Sequence, residues 1–258
     1  MSSIIVEGRL TGLVFLLALA ILLYYFMDKA AKGKPETIRR LPAFDAMEEA
    51  VGRAVEQGRP VLTTYSFRDQ FDAPTMVGLE TVRYTSKLTT QKGGDMLVGA
   101  GAARTLPVAM ENYRLGCLEG EVPELYNGAN VHFFTKQQWA YASGVMGLMQ
   151  REQPGACIFI GPFLVEGIHL GINSRRINTM AIGGNTSYSM GAFMFVTMDY
   201  VLLGEEMFAA GAYMTEDPVN ISGIAAEDVM KWVICGILVV GTLFKLVGSD
   251  LLVTLLGA

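Results

Sequence analysis

The sequence predicts an α/β fold in its middle and a membrane helix at each end. Short apolar segments alternate with longer segments of helical periodicity through the middle of the chain. Those short segments are continuously apolar, as strands buried on both faces of a parallel sheet are. Long apolar runs open the chain and nearly close it.

The first half of the middle region begins with a helix. Over Phe44–Gln57, apolar residues recur at helical spacing, and Gly58 follows as a stop signal. The β-branched and aromatic run Pro60–Ser66 then predicts a strand. The elements predicted next, in chain order, are helix Thr75–Lys92, strand Asp95–Val98, helix Pro107–Glu119 with proline in its first turn, and strand Asn130–Thr135.

The second half repeats this alternation more regularly. Its predicted elements are helix Lys136–Arg151, strand Ala156–Ile160, helix Leu164–Asn173, strand Thr179–Ile182, helix Thr186–Phe195, strand Asp199–Leu203 and helix Glu205–Met214. About six strands, each followed by a helix, predict a three-layer, Rossmann-like domain with a mostly parallel sheet and right-handed crossovers.

The two ends predict membrane anchors. Leu10–Met27 and Val229–Val247 are each long enough to cross the roughly 30 Å hydrocarbon core as a helix. We therefore divide the chain into an N-terminal transmembrane anchor (1–27), a basic linker (28–40), a cytoplasmic α/β domain (41–228) and a C-terminal transmembrane segment with an apolar tail (229–258).

Basic residues predict the orientation. Those after the first run are Lys29, Lys32, Lys34, Arg39 and Arg40, whereas Arg9 before it is offset by Glu7. Because Lys and Arg mark the cytoplasmic flank, the middle domain is expected on the cytoplasmic side of the plasma membrane. A cleaved signal peptide is the competing interpretation, but its basic n-region and small-residue cleavage site are missing.

Two charges interrupt the second apolar run. Lys245 and Asp250 indicate either an intramembrane ion pair or proton path, or a lysine that extends its ammonium to the far interface. We favour the interface, because Lys245 lies near the end of the predicted crossing. Whether Leu251–Ala258 spans the membrane or lies on it stays open.

Composition excludes several classes of function. The 258 residues carry a net charge of −5, which disfavours a nucleic-acid partner. Three cysteines, Cys117, Cys157 and Cys235, form no closely spaced pair, and His132 and His169 are the only histidines. No metal site of familiar Cys/His spacing and no acyl-transfer triad is therefore predicted, and no cofactor is identified.

Ligands of open α/β sheets gather outside the carboxyl ends of the strands. The candidate ligand-binding residues at those ends are Ser66, Gly161, Gly183, Gly184, Thr186, Glu205 and Glu206. Such a Gly-lined crevice suits an anion or a nucleotide. The alternative is local structure: glycines that form tight turns, Thr186 or Ser187 as a helix cap, and glutamates, with Glu166 among them, that complement helix dipoles.

Two phosphate-binding motifs are incomplete. Gly99–Arg104 resembles the start of a dinucleotide fingerprint, but Arg104 occupies the third glycine position. The Gly183–Ser187 segment lacks the lysine of a P-loop. Tyr188–Thr197 and Met207–Met214, rich in Met, Phe, Ala and Gly, predict instead a surface where two copies of the chain associate, although core packing explains them equally.

Five segments carry a resemblance to a known family. They are Trp139–Gly147, Ile158–Phe163, Ala181–Thr186, Asp199–Glu206, and Ala209–Tyr213 with Asp217-Pro218. Together they resemble an uncharacterised family of prokaryotic membrane proteins known only as a domain of unknown function. The resemblance covers Leu41–Lys231 and implies one α/β domain between two transmembrane segments, with no activity attached.

These features predict a membrane-tethered scaffold or binding module that forms homo-oligomers in the bilayer. Other membrane-protein subunits are candidate partners. The alternative is a small-molecule or nucleotide-binding enzyme that uses the Gly-rich crevice, so enzymatic activity stays open. A transport subunit is the third hypothesis, since two crossings per chain form a pore only by oligomerisation. Ligand, partners and stoichiometry do not follow from the sequence.

Overall fold

A computed structural model of the chain describes residues 10–32, 41–215 and 218–246. The chain divides into two units, one formed by Arg40–Thr215 and the other by Met1–Arg39 with Glu216–Ala258. The predictions made for Glu7 and Arg9, for the linker residues 33–40, for Asp250 and for the apolar tail lie outside the described residues, as does the side chain of Lys245.

The larger unit alternates strands and helices as predicted. In chain order its elements are α2 (Pro42–Glu56), β1 (Val61–Thr64), α3 (Ala73–Gln91), β2 (Met96–Ala100), α4 (Leu106–Glu119), β3 (Val131–Phe133), α5 (Gln138–Glu152), β4 (Ala156–Ile160), α6 (Val165–Arg176), β5 (Met180–Asn185), α7 (Tyr188–Thr197), β6 (Tyr200–Leu203) and α8 (Glu205–Thr215), with 3₁₀ turns at Pro123–Leu125 and Gly128–Asn130 before β3. α1 (Leu10–Ala31) and α9 (Pro218–Leu246) belong to the other unit.

The six strands form one parallel sheet in the order β3-β2-β1-β4-β5-β6. The central strand β1 pairs with both β2 and β4, so Thr63 lies between Val98 and Ile158. This order matches that of doubly wound nucleotide-binding sheets, whose direction of winding reverses between the first and fourth strands. The predicted α/β fold with a six-stranded parallel sheet is confirmed.

Helices cover both faces of the sheet. Residues that alternate along β4 divide between two clusters of buried side chains: Ala156, Ile158 and Ile160 pack with α2 and α8, whereas Cys157 and Phe159 pack with α5, α6 and α7. A third cluster joins β2 to α3 and α4 on the first face. The inner strands β2 and β4 are buried on both sides and continuously apolar, as the sequence predicts, whereas the edge strands β3 and β6 are partly exposed.

The smaller unit contains two helices that pack against each other, α1 and α9. Gly12–Ala30 of α1 is long and apolar enough to cross a membrane, a property that signal sequences share. Among the described residues it is the sole helix that meets this criterion, so the predicted C-terminal transmembrane helix is not shown. Residues 218–228, predicted to connect the domain to that segment, form the first turns of α9.

Candidate functional site

The point where the winding reverses lies between the carboxyl ends of β1 and β4. Ser66 follows β1 and Gly161 follows β4, as the sequence predicts, and the structure brings them together. The Ser66 hydroxyl donates to the carbonyl oxygen of Pro162 at 3.2 Å. A methyl group on Gly161 would lie 2.3 Å from the Tyr65 carbonyl oxygen. The two loops therefore touch at the point where such sheets usually leave a crevice.

Ser66 is held in an unusual backbone conformation. Its φ of 97° is one that residues with a side chain rarely adopt, and the residue is buried. Strain of this kind persists only where the surroundings enforce it. Here the enforcing contacts are the Pro162 hydrogen bond and the close approach of Gly161, so Ser66 orders the two loops.

Gly183 and Gly184 lie inside β5, not in a turn after it. The strand continues through Asn185, because β4 pairs with it as far as Gly184 and β6 as far as Asn185. A methyl group on Gly183 would lie 2.5 Å from the Met198 sulfur, and one on Gly184 would lie 3.1 Å from the Ile160 side chain. The predicted strand end at Ile182 is wrong, and these glycines make room for neighbouring side chains.

The cap of α7 also differs from the expected one. Ser187 occupies the N-cap position without a side-chain cap hydrogen bond, and Thr186 is half-buried beside it. The Asn185 amide instead accepts from the Ser187 backbone N–H at 2.9 Å and donates to the Phe163 carbonyl oxygen at 2.6 Å. Asn185 thus ties the loop after β5 to the loop after β4, a role that no sequence motif indicates.

Glu205 and Glu206 occupy the first turn of α8 and are exposed. The Glu206 carboxylate lies 3.4 Å from the backbone nitrogen of Leu203, within reach of the helix start. This geometry fits the helix-dipole interpretation. Both residues follow the edge strand β6, three strands away from β1 and Ser66.

Glu166 differs from these glutamates, because it is fully buried. Its carboxylate accepts from the Gln138 side-chain amide at 2.6 Å and from the Leu164 backbone N–H at 2.8 Å. Two donors compensate a buried carboxylate that would otherwise be costly. Glu166 therefore joins the start of α6 to the start of α5, a stronger structural role than the first-turn dipole interaction that the sequence predicts.

Hydroxyl groups form a second buried polar cluster beneath the ends of β1 and β2. The Thr64 hydroxyl bonds to the Tyr141 hydroxyl and donates to the Gly99 carbonyl oxygen at 2.8 Å. The Tyr65 hydroxyl bonds to the Thr105 hydroxyl. Burial raises the pKa of Tyr141, and burial raises the pKa of Tyr65 to about 12. Both phenols are therefore protonated at neutral pH.

The fingerprint-like segment is used for packing. Gly99 lies in β2, and Gly101 follows the strand. A methyl group on Gly101 would lie 2.3 Å from the Phe67 Cα atom. The glycine therefore admits the backbone of the neighbouring loop and not a pyrophosphate. The loop after β1 itself carries the bulky side chains Tyr65 and Phe67.

In the part of the chain that the structure describes, no group of three or more His, Cys, Asp or Glu side chains is arranged so that it could hold a metal ion. His132 lies on the edge strand β3, and its pKa is lowered by burial and by Arg151. His169 contacts the Trp139 ring edge-on. Cys117 and Cys157 are buried and Cys235 is exposed, and burial raises the pKa of Cys157 to about 12.

A cleft of about 420 Å³ opens at the carboxyl ends of β1, β2 and β3. Its lining residues, called the basic cleft below, are Phe67, Arg68, Asp69, Gln70, Arg104 and Lys136. Arg104 lies with its Nε atom 3.8 Å from a carboxylate oxygen of Asp69, and Arg68 donates to the Gln70 amide oxygen at 3.2 Å. Of these six residues, only Arg104 belongs to a segment that resembles a binding motif. The others have no motif, because the cleft residues come from three separate loops.

The outer face of α7 is apolar and exposed. Tyr188 is 65% exposed, Phe195 64% and Val196 68%, and Phe193 is also exposed. These four residues are called the α7 face below. The helix contains no charged residue. Most methionines of the two segments predicted to form a contact surface point inward instead: Met194, Met207 and Met214 are buried, and Met190 is half-buried.

One family model matches almost the whole chain. It is described as a domain of unknown function, DUF6754, and it matches residues 2–256. The match extends beyond the Leu41–Lys231 range over which the sequence resembles an uncharacterised family, and it includes both apolar ends. No curated protein matches the chain. No solved structure matches it either.

Proposed function

We propose that this chain, which belongs to the uncharacterised family DUF6754, is a membrane-tethered scaffold or binding module that self-associates through the α7 face. The observation that carries the proposal is the exposure of that face. A helix without charged residues that presents Tyr188, Phe193, Phe195 and Val196 to solvent is unfavourable in water. A second copy of the chain that covers it removes this apolar surface from water.

The edge strand β6 packs against α7, and α8 lies on the other face of the sheet. β6 is the terminal strand and pairs only with β5 among the described residues, so its outer edge carries unpaired backbone groups. Tyr200 at the start of β6 and Phe208 on α8 are exposed large apolar side chains. Aromatic side chains are enriched in protein interfaces, whereas charged ones are depleted at their centres. Helix and strand together therefore suit an isologous contact between two copies.

The proposed tether is α1, with α9 as a second crossing. The 22 residues of α1 extend about 33 Å at 1.5 Å per residue, enough to span the hydrocarbon core. α9 presents exposed apolar side chains over its second half, among them Trp232, Leu238 and Leu243. Lys29 and Lys32 at the end of α1 favour a cytoplasmic α/β domain. Confinement in a bilayer raises the local concentration, which strengthens weak self-association.

Native mass spectrometry of the full chain, extracted in mild detergent, tests self-association. We expect a defined oligomer for the natural sequence and a monomer for Phe195→Glu and Val196→Glu, which place a carboxylate on the α7 face. Leu118→Glu is the matched control, because Leu118 is 52% exposed on α4 in the other helical layer. A monomeric natural chain, or α7-face variants that stay oligomeric, would contradict the proposal.

The tether has its own test. A chain anchored by α1 stays in the membrane pellet after an alkaline carbonate wash, whereas a peripheral or cleaved chain is released. Intact mass measured on the pellet separates an uncleaved anchor from a removed signal sequence. Release into the supernatant, or loss of the first apolar run from the mature mass, would contradict the tether and leave the α7-face experiment unaffected.

The second candidate function is a small-molecule or nucleotide-binding enzyme, and the order of the sheet favours it. Its proposed crevice is the weaker site, because Gly161, Gly183 and Gly184 all lie against protein atoms. The same mass spectra test this candidate. A stoichiometric mass of nucleotide size that Ser66→Ala removes would favour the enzyme, and ligand-free spectra would favour the scaffold.

A further inference from the structure

We infer that the basic cleft binds a ligand through a phosphate or pyrophosphate group. Three neighbouring strands each contribute one cation from the loop at their carboxyl end: Arg68 after β1, Arg104 after β2 and Lys136 after β3. Ligands of parallel α/β sheets bind at this end of the strands. The inference concerns a surface apart from the α7 face, and it holds whether or not the chain self-associates.

The charges in the cleft are unbalanced. Three cations face one carboxylate, Asp69, in a chain whose net charge is −5. Lys136 makes no hydrogen bond or ion pair with the residues that the structure describes, and Arg68 bonds only to the neutral amide of Gln70 there. Two positive charges therefore stay available to a ligand. Arginine and lysine side chains are the usual partners of phosphate oxygens.

Asp69 orients one of the cations. Its Oδ1 atom is buried and has no hydrogen-bond donor among the described residues, and the Arg104 Nε atom is 3.8 Å away. Arg104 also lies with a terminal nitrogen 3.4 Å from the Asp69 carbonyl oxygen. These contacts restrict the guanidinium while 64% of the side chain stays exposed, so its outer N–H groups are free to donate to a ligand.

The dimensions suit a small phosphorylated molecule. A volume of about 420 Å³ lies in the range of roughly 300–1,000 Å³ that small-molecule sites occupy. Phe67 supplies an apolar contact at one wall. A soluble nucleotide and the head group of an acidic phospholipid both carry the required phosphate, and a membrane-tethered domain meets both.

Isothermal titration calorimetry on the full chain in phosphatidylcholine nanodiscs tests the inference. The probes are inorganic pyrophosphate, ADP and dihexanoyl phosphatidic acid, a short lipid that dissolves in water. We expect pyrophosphate to bind. Arg68→Gln and Lys136→Gln should each raise its Kd by about 5- to 10-fold, because each removes one partly screened charge contact. The matched control is Arg176→Gln, an exposed cation in the last turn of α6, which leads into the amino end of β5.

The outcomes separate the two sources of phosphate. Tighter binding of ADP than of dihexanoyl phosphatidic acid assigns a soluble nucleotide, the reverse assigns a lipid head group, and equal affinities assign recognition of the phosphate alone. The inference is overturned if pyrophosphate gives no binding heat at millimolar concentration, or if Arg68→Gln and Lys136→Gln bind it as Arg176→Gln does. The melting temperature of each variant checks that the fold is intact.

Discussion

Replacing Gly101 by alanine tests whether the fingerprint-like segment packs or binds. In the structure, the added methyl group would lie 2.3 Å from the Phe67 Cα atom, 2.7 Å from its Cβ atom and 2.9 Å from the Tyr141 ring. The nearest of these atoms belongs to the backbone, which cannot rotate away. The loops after β1 and β2 must therefore separate to accept alanine.

The expected cost follows from that overlap. Inserting a methyl group into a packed site costs about 1–3 kcal/mol, and the backbone contact at Gly101 places it near the upper end. The lower entropy of an unfolded chain with alanine returns about 0.4–1 kcal/mol. We expect a net loss of about 2 kcal/mol in the free energy of unfolding, which lowers Tm by about 4–8 °C for a unit of this size.

Gly147→Ala is the matched control, because the chemical change is identical. Gly147 lies in the interior of α5, and a methyl group there would meet no atom within 4 Å. The higher helix propensity of alanine adds about 1 kcal/mol, so Tm should rise by about 2–4 °C. Thermal melting of the full chain in mild detergent measures both variants. A Gly101→Ala variant as stable as the natural chain would refute the close packing of the two loops and favour the fingerprint interpretation of Gly99–Arg104.

Three further predictions concern stability and ionisation. Gln153→Gly should raise Tm by about 2–4 °C, because Gln153 ends α5 in a left-handed conformation, with a φ of 48°, that glycine adopts without strain. An unchanged Tm would contradict the left-handed conformation of Gln153. Glu166→Leu should lower the free energy of unfolding by about 3 kcal/mol in denaturant titrations, since it leaves the Gln138 amide and the Leu164 N–H without their acceptor. A loss below 1 kcal/mol would contradict the role of the Glu166 carboxylate. Burial raises the pKa of Tyr65 and Tyr113 from 10.0 to about 12. Both should therefore stay protonated when exposed tyrosines ionise in an ultraviolet titration. The stability that they contribute should be intact below pH 10 and lost as the pH rises towards 12.

The sequence carries most of the information about the fold, because hydrophobic periodicity reports burial directly. Ala156–Ile160 is predicted with the observed bounds of β4, since a short, continuously apolar run between two helices is typical of a buried strand. β5 shows where the signal fails. Gly183 and Gly184 look like a turn, yet they continue the strand because the side chains of Met198 and Ile160 occupy the space beside them. Such tertiary contacts override the local preference of glycine.

The candidate site was less predictable, because its residues are distant in the sequence. Ser66 and Gly161 meet as expected at the ends of adjacent central strands, since strand ends gather at one edge of a parallel sheet. Arg68 and Lys136 lie in loops without a motif, and only the order β3-β2-β1 brings those loops together. Periodicity predicts strands without their order, so the cleft could not be assembled from the sequence.

The two proposed surfaces lie in different parts of the sheet and are independent for that reason. The basic cleft lies at the carboxyl ends of β1–β3, whereas the α7 face belongs to the helix that connects β5 to the outer edge strand β6. From β1 to β5, the nearest strands of the two surfaces, the sheet spans two strand spacings, or about 10 Å. We expect pairing of two copies through the outer face of α7 to leave the cleft open to a ligand. Phe195→Glu should abolish the oligomer without changing pyrophosphate affinity, and Lys136→Gln should do the opposite. If either variant changes both properties, the two surfaces are coupled and this separation is wrong.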